Sequence, residues 1–437
     1  MTEFIITNVE AVNLSKSSHP INTGVGFFDH MIDQLNSHAQ IGVSVTVEIP
    51  SPPESYSMDD KNRHSSENLQ KSLMGQVGAA LGGQIHKLLD HSSTSSESSS
   101  SRFCCPLDEA LVECILSVEK STNGSSPSGS LSLELAPYGI FPKTGRTKIG
   151  QMMTLPLPSF FSNIAKASGL NIHLKKIRGD NGHHIVESAF KAFSRALRNL
   201  IDGTNTTLSN SDTGSFTGTM ASMWGENSPS AAEGISLNRM GKSSRATKET
   251  SIDVEILLDG GAKGVKIETG IQTLNDFYNH LAKESGMSLE VFCKGDTWVD
   301  DHHSSEDVSI AIGKVLNTAL GTKAGLNRMW CATAQCGEAV VEVVMDLSNR
   351  PCLTSNLSLS QCEYVGDMSV EMLDHALDSL VMNGQMTVHI VEKSSGDDIM
   401  DLAMATGIAF GRALKLCAAV DPRRAGKTAS SKGTLSA

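Results

Sequence analysis

Apolar and polar residues alternate along this chain in runs of strand length, and helical spacing follows several of them. PLDEALVECILSVE (106–119) and GEAVVEVVMDLS (337–348) both read as apolar-alternating strands. LNIHLKKIRGDNGHHIVESAFKAFSRAL (170–197) predicts a strand, a turn and a helix, and MTVHIVEKSSGDDIMDLAMATGIAFGRAL (386–414) repeats the series. MTEFIITNVEAVNL reads as a strand and not as a secretory signal. VSIAIGKVLNTAL has helical apolar spacing, so the HHSSED before it predicts a helix start.

These repeats divide the chain. HSSTSSESSSS (91–101) and STNGSSPSGSLS (121–132) predict exposed, mobile loops, and the Ser/Thr/Gly-rich run 203–239 predicts an interdomain linker. Two domains are expected, 1–202 and 240–437, related by duplication because MDDKNRHSSEN (58–68) also parallels VDDHHSSED (299–307). Each domain reads as two smaller units of a few strands and a helix. Strands mixed with helices without strict alternation predict an α+β fold, helices covering one sheet face.

Composition narrows the function. The 437 residues are 39% hydrophobic and 19% charged, with a net charge of −12, which fits a globular chain large enough for two cores. No clustered positive charge points to nucleic acid, and no apolar run approaches a membrane span. Nine cysteines without a CxxC pair argue against a disulfide framework.

The chemistry gathers at two HHxxE motifs. On a helix, Glu306 falls within reach of both His302 and His303, and His183, His184 and Glu187 repeat the spacing. Asp300 and Asp301 suit a helix cap or partners for an imidazole N–H. Imidazole and carboxylate without thiolate suit Mn, Fe or Zn, and the alternative is a polar helix start with solvated histidines. His30 and His375, lone among apolar residues, read as packed core positions on spacing alone; His38, His86, His91, His173 and His280 read as structural or exposed. Arg328, Arg350 and the tail DPRRAGKTASSKG offer charge-assisted bonds to a phosphate, or are solvated surface.

Taken together, GVGFFDHMIDQLNSH, VDDHHSSED, DLSNRP, DNGHHIVESAFKAFSRAL and DPRRAGKTASSKGTLS resemble the imidazoleglycerol-phosphate dehydratase family. The resemblance spans nearly the whole chain apart from the linker and Ser-rich loops. It implies two fused, partly degenerate copies of a domain built from two units, each a mixed sheet covered by helices on one face (ribosomal protein S5 domain 2-like). It implies dehydration of imidazoleglycerol phosphate to imidazoleacetol phosphate in histidine biosynthesis. The family's dimanganese (Mn2+) site lies between subunits of a large assembly of trimers, with ligands from a DHM histidine, two HHxxE motifs and a histidine in an EHFF-like segment.

Carried over by residue, neither domain holds the full ligand set. The N-terminal domain keeps His30, His183, His184 and Glu187, with Arg63, His64 and Glu67 at the first HHxxE and Ser159 at the EHFF-like position. The C-terminal domain keeps His302, His303, Glu306 and His375, with Asp276 at the DHM position and Met400, Asp401 and Met404 at the second HHxxE. The resemblance assigns substrate contacts to Gln34, Glu249, Arg328, Arg350, Ser430 and Lys432, with Lys191 a weaker candidate. The N-terminal domain has Arg102 and Ser121 where the other has its two arginines.

The expectation is one composite dimetal site at each productive interface of N- and C-terminal domains, in a homo-oligomer. Glu187, Glu306 and Glu249 are its catalytic candidates. Two alternatives stand beside it, a pseudoenzyme that assembles with a complete dehydratase and a metal-dependent hydrolase. The expected compartment is the cytoplasm, or a plastid if the start is truncated.

Overall fold

The computed structural model describes residues 5–14, 19–48, 61–90, 98–119, 129–203, 239–259, 264–430 and 435, and it divides into two compact units, Met1–Asn210 and Ser211–Ala437. The expected linker lies almost wholly outside the described residues, which stop at 203 and resume at 239.

Each unit is itself two βα halves. The first half of unit 1 runs β1 (Ile5–Asn13), β2 (Ile21–Asn22), α1 (Gly26–Gln34), β3 (Ile41–Glu48) and α2 (Lys61–Asp90). Its second half runs β4 (Ser98–Leu107), β5 (Ala110–Glu119), β6 (Leu131–Glu134), α3 (Leu157–Ser168), β7 (Leu170–Arg178) and α4 (Gly182–Ile201). Unit 2 opens with β8 (Met240–Ala246), β9 (Thr250–Leu257), β10 (Val265–Glu268), α5 (Gln272–Ser285), β11 (Ser288–Gly295) and α6 (His302–Leu320). It closes with β12 (Met329–Cys336), β13 (Ala339–Asp346), β14 (Cys352–Ser355), α7 (Val370–Gly384), β15 (Thr387–Ser394) and α8 (Ile399–Ala418).

The sheets share one order, β4-β5-β7-β6, β8-β9-β11-β10 and β12-β13-β15-β14, and the first sheet is the same without its leading strand, β1-β3-β2. In every case the last pair is parallel and the others antiparallel. A parallel neighbour needs a crossover, and the first helix of each half supplies it. The sheets are mixed and the fold is α+β.

Two of the expected Ser-rich loops are partly strand. Ser98–Ser101 belong to β4 and pair with β5, and Ser101 is 0% exposed. Leu131 and Ser132 open β6 against β7. Composition misled here because a serine side chain is small enough to sit in a ladder whose backbone bonds hold it. Residues 91–97 and 120–128 lie outside the described residues.

Strand β9 shows why alternation reads as it does: Thr250, Ile252, Val254 and Ile256 are buried while Ser251 and Asp253 are exposed. Helix α4, by contrast, is buried almost all round, and its phenylalanines Phe190 and Phe193 join Phe28, Phe160 and Phe161 in one aromatic core. The helices then pair across the halves: α2 with α3 and α1 with α4 in unit 1, α6 with α7 and α5 with α8 in unit 2. Glycines set the closest approach. A Cβ on Gly78 of α2 would stand 2.4 Å from the Phe160 carbonyl oxygen of α3.

Gly78→Ala is therefore expected to destabilise the chain by about 2 kcal/mol, within the usual cost of overpacking. Gly83→Ala, on the same helix with nothing within 4 Å, is expected to be neutral or stabilising. Urea unfolding midpoints at unchanged slope would separate the two.

Candidate active site

The helix pairs differ in the side chains they bring together. Helix α4 begins where the Asn181 side chain accepts the His183 backbone N–H at 2.9 Å, so His183 and His184 occupy the first turn. His183 Nε2 lies 3.0 Å from Glu187 Oε2, and His30 on α1 approaches the same oxygen at 3.8 Å. One donor atom from each of these three residues lies within 4.8 Å of the others. The other oxygen of Glu187 takes the Lys191 ammonium at 2.7 Å. Burial pushes the Glu187 carboxyl up, but hydrogen bonds from His183 and His30 and the Lys191 charge more than offset it, leaving it far below the usual carboxylate range.

Unit 2 builds its cluster from the other helix pair. His302 and Glu306 on α6 stand 3.5 Å apart, and His375 on α7 lies 3.4 Å from Glu306. Their donor atoms also fall within 4.8 Å. Here Glu306 gives one oxygen to each histidine, and among the described residues no lysine pairs with it.

The adjacent histidines do not share their glutamate. Successive residues on a helix splay by about 100°, and the ring centroids of His302 and His303, like those of His183 and His184, stand 5.9 Å apart. His303 turns to Asp296, whose oxygens hold its Nδ1 at 3.2 and 3.3 Å, and Glu249 lies 4.0 Å from its Nε2. His184 gives its Nδ1 to Glu109 at 2.7 Å. The expectation that Glu306 serves both histidines is corrected accordingly. Of the two roles expected for the aspartates, Asp300 takes that of capping the helix, accepting the His302 backbone N–H at 3.0 Å, while Asp301 accepts from Ser369.

Both outward histidines become more basic, His184 through its bond to Glu109 and His303 through its bond to Asp296. For Glu109 burial acts upward, but the His184 bond and the Asn181 N–H carry its carboxyl down to about 2. In each case a carboxylate faces Nδ1, and a second one lies farther off Nε2, Asp108 at 3.7 Å for His184 and Glu249 at 4.0 Å for His303. Glu109 and Asp296 were missed in the sequence; Glu109 had a signal, because it immediately precedes the second strand of its half just as Glu249 does.

The remaining two helix pairs carry no such cluster among the described residues. On α5, Asp276 accepts from the Gln272 side chain; on α8, Met404 is buried and Asp401 accepts the Cys336 thiol at 3.4 Å. Ser159 on α3 donates to the Lys71 carbonyl of α2 at 3.3 Å. The side chains of Arg63 and His64 lie outside the described residues.

The anion-binding candidates sit at the other end of unit 2. Arg328 is 3% exposed and makes a bidentate pair with Asp346, 2.7 Å on each side, while its Nη1 donates to the Ala429 carbonyl. Arg350 is half-buried, and Ser348 accepts its backbone N–H while Ser348 and Thr387 donate to its carbonyl. Ser430 follows Ala429 directly and is half-buried; Lys432 lies outside the described residues. Glu249 is exposed at the β8–β9 turn, 55% by side chain. Gln34 is the exception among the substrate candidates, because it is fully buried and donates to the His30 carbonyl at 3.0 Å. Its place is beneath the turn that carries His30. In unit 1, Arg102 is paired with Glu113 at 2.5 Å.

A family model described as imidazoleglycerol-phosphate dehydratase matches residues 23–197 and again 269–414. The chain belongs to that family. The Prochlorococcus marinus (strain MIT 9211) imidazoleglycerol-phosphate dehydratase is 40% identical over 201 residues, 46% of this chain and 95% of the relative. A Triticum aestivum relative named imidazoleglycerol-phosphate dehydratase 1, chloroplastic, is 41% identical over 213 residues, 48% of this chain and 78% of its own. The crystal structure of the Staphylococcus aureus subsp. aureus N315 imidazoleglycerol-phosphate dehydratase aligns at 28% identity with a TM-score of 0.38, covering 42% of this chain and 99% of that one. Two matches in series make the chain a tandem pair of family domains, and its enzyme class is that of the dehydratases, the carbon–oxygen hydro-lyases. No described helix is long and apolar enough to cross a membrane.

Replacing Asp346 by Asn is expected to cost about 3 kcal/mol, because it strands the buried Arg328 charge. Unfolding free energy followed by urea titration checks it; a loss under about 1 kcal/mol would be the value for a solvated pair and would contradict it.

Proposed function

We propose that the chain dehydrates imidazoleglycerol phosphate to imidazoleacetol phosphate in histidine biosynthesis, and that ligands from an N-terminal and a C-terminal unit together make one working dimetal centre. The observation that supports this is the complementarity of the surviving clusters. In unit 1 the cluster joins the first helix of the first half to the second helix of the second half. In unit 2 it joins the second helix of the first half to the first helix of the second. Each unit has lost what the other has kept.

The donor set fits a divalent ion. Two imidazoles and a carboxylate, with no thiolate, suit Mn2+ or a neighbouring divalent metal, and His30, His183 and Glu187 would hold one ion while His302, Glu306 and His375 hold the other. His184 and His303, whose Nδ1 atoms are held by Glu109 and Asp296 and whose Nε2 atoms lie 3.7 Å from Asp108 and 4.0 Å from Glu249, would be the third imidazole of each ion in this reading. Bound there, the ions supply Lewis-acid stabilisation of negative charge on the substrate imidazole.

The chain's own groups do the rest. Glu249, exposed beside His303, orients the substrate hydroxyls. Glu187 is bound by Lys191 and two histidines and Glu306 by two histidines, and either carboxylate can move a proton. Arg350, Ser430 and Lys432 bind the phosphate, and Arg328 adds its charge from behind. The phosphate end is thereby anchored away from the breaking C–O bond.

Changing His30 and His302 to Ala in separate variants tests the composite centre. Each is expected to lower kcat at least about 100-fold and to reduce bound metal from about two to about one per chain, the count being taken on the dialysed protein. A variant that keeps both metal and turnover would show that one unit suffices. A manganese-loaded wild-type chain without any turnover would favour the pseudoenzyme instead.

A further inference from the structure

The loop after α6 places a lysine where few lysines are found. Lys323 is 2% exposed, and its ammonium has two oxygen partners, the Asn349 side-chain Oδ1 at 2.5 Å and the Gln385 carbonyl at 3.2 Å. Neither partner is charged, and the carboxylate nearby, Asp346, is already committed to Arg328. Burial, reinforced by the Arg328 charge and opposed by Asp346, carries the Lys323 ammonium down to about 8. A buried cation without its own anion is costly, so a fold that keeps one needs it for something.

What it touches shows the use. Lys323, Arg328, Asn349 and Gln385 all have left-handed backbones, with φ of 59°, 73°, 58° and 52°. Four of the seven non-glycine residues with positive φ among the described residues thus meet at this one corner. That conformation is costly without glycine and persists only where neighbours enforce it. At Asn349 the enforcement is visible: the backbone N–H donates to the Gln385 carbonyl at 3.0 Å, and the side chain is tied to Lys323. The next residue is Arg350, whose own N–H and carbonyl are fixed by Ser348 and Thr387. Lys323, Arg328 and Asp346 set two cations against one carboxylate.

We infer that Lys323 is a positioning residue for the phosphate subsite: by tying down Asn349 it holds the left-handed turn that presents Arg350 to an anion. The inference rests on the reading of Arg350 as a phosphate ligand. It separates Lys323 from the residues that touch substrate, and it explains why the turn tolerates asparagine in place of glycine.

The test uses the full, manganese-loaded chain, with inorganic phosphate as the competitive probe. Lys323→Met is expected to raise both KM and the phosphate inhibition constant about 10-fold while kcat stays within about two-fold, the pattern of lost binding at a non-reacting group. Asn349→Gly added to Lys323→Met is expected to recover most of that loss, because glycine takes the left-handed turn unaided. Asn349→Ala alone keeps the lysine but loses the tie, and should reproduce the Lys323→Met constants even if the Met variant folds poorly. Unchanged KM and inhibition constants in Asn349→Ala, a fall confined to kcat, or no recovery with Asn349→Gly would each overturn the role of Lys323. Arg350→Ala separates the two levels: if it leaves phosphate inhibition intact, the phosphate reading itself fails, whatever Lys323 does.

Discussion

A carboxylate reaching from one helix to an imidazole on another is the contact on which each cluster depends. Glu187 on α4 joins its own His183 to His30 on α1, and Glu306 on α6 joins its own His302 to His375 on α7. Without the glutamate, the two histidines of each pair would be separate side chains on separate helices. Everything else at the site is arranged around that bridge. The sheet orders bring the helix ends together, the Asn181 cap starts α4 at the residue that makes His183 and Glu187 neighbours, and the splay of adjacent helical residues sends the second histidine elsewhere.

The second histidine needs its own support, and the two units supply it differently. His303 leans on Asp296, just past the end of β11; the loop from β7 into α4 is shorter, and His184 is held by the turn residue Glu109. The consequence falls on the turn glutamates. Glu109 is occupied in holding an imidazole, whereas Glu249 at the same turn position stands exposed because Asp296 has taken that task. A residue becomes available for substrate when another group relieves it of a structural bond. The degenerate pair at α5 and α8 shows the same turn without either use, with Asp401 taking a thiol from Cys336.

Much of this was legible in the sequence, and for a physical reason. Strand alternation and helical spacing are local, so β5, β13, β7, α4, β15 and α8 fall where the pattern put them. The clusters were legible only through resemblance, because His30 and His375 lie far along the chain from the motifs they join, and a lone histidine among apolar residues carries no sign of a partner on another helix. The serines of β4 were misread because composition speaks for side chains, while the ladder is made by the backbone. Asp296 and Lys323 were invisible for a further reason. Their meaning lies in which oxygen or imidazole they face, and spacing along the chain does not encode that.

The buried charges of unit 2 argue that the corner around Arg328 is built rather than incidental. A surface arginine costs little and specifies little. Arg328 instead is withdrawn from solvent, matched bidentately to Asp346 and tied to the tail at Ala429, so the tail, the loop after α6 and the DLSNRP turn are locked to one another before any ligand arrives. Such a pair adds little net stability over an apolar one, since desolvating both charges offsets most of their attraction. What it does secure is geometry. Asp346 gives both its oxygens to Arg328, so the Lys323 ammonium is held by the neutral oxygens of Gln385 and of Asn349, the residue next to Arg350. In unit 1, Arg102 is paired with Glu113. The two units thus differ in what surrounds these arginines: Arg102, half-buried, meets a glutamate, whereas Arg328 is buried in a bidentate pair beside a buried lysine.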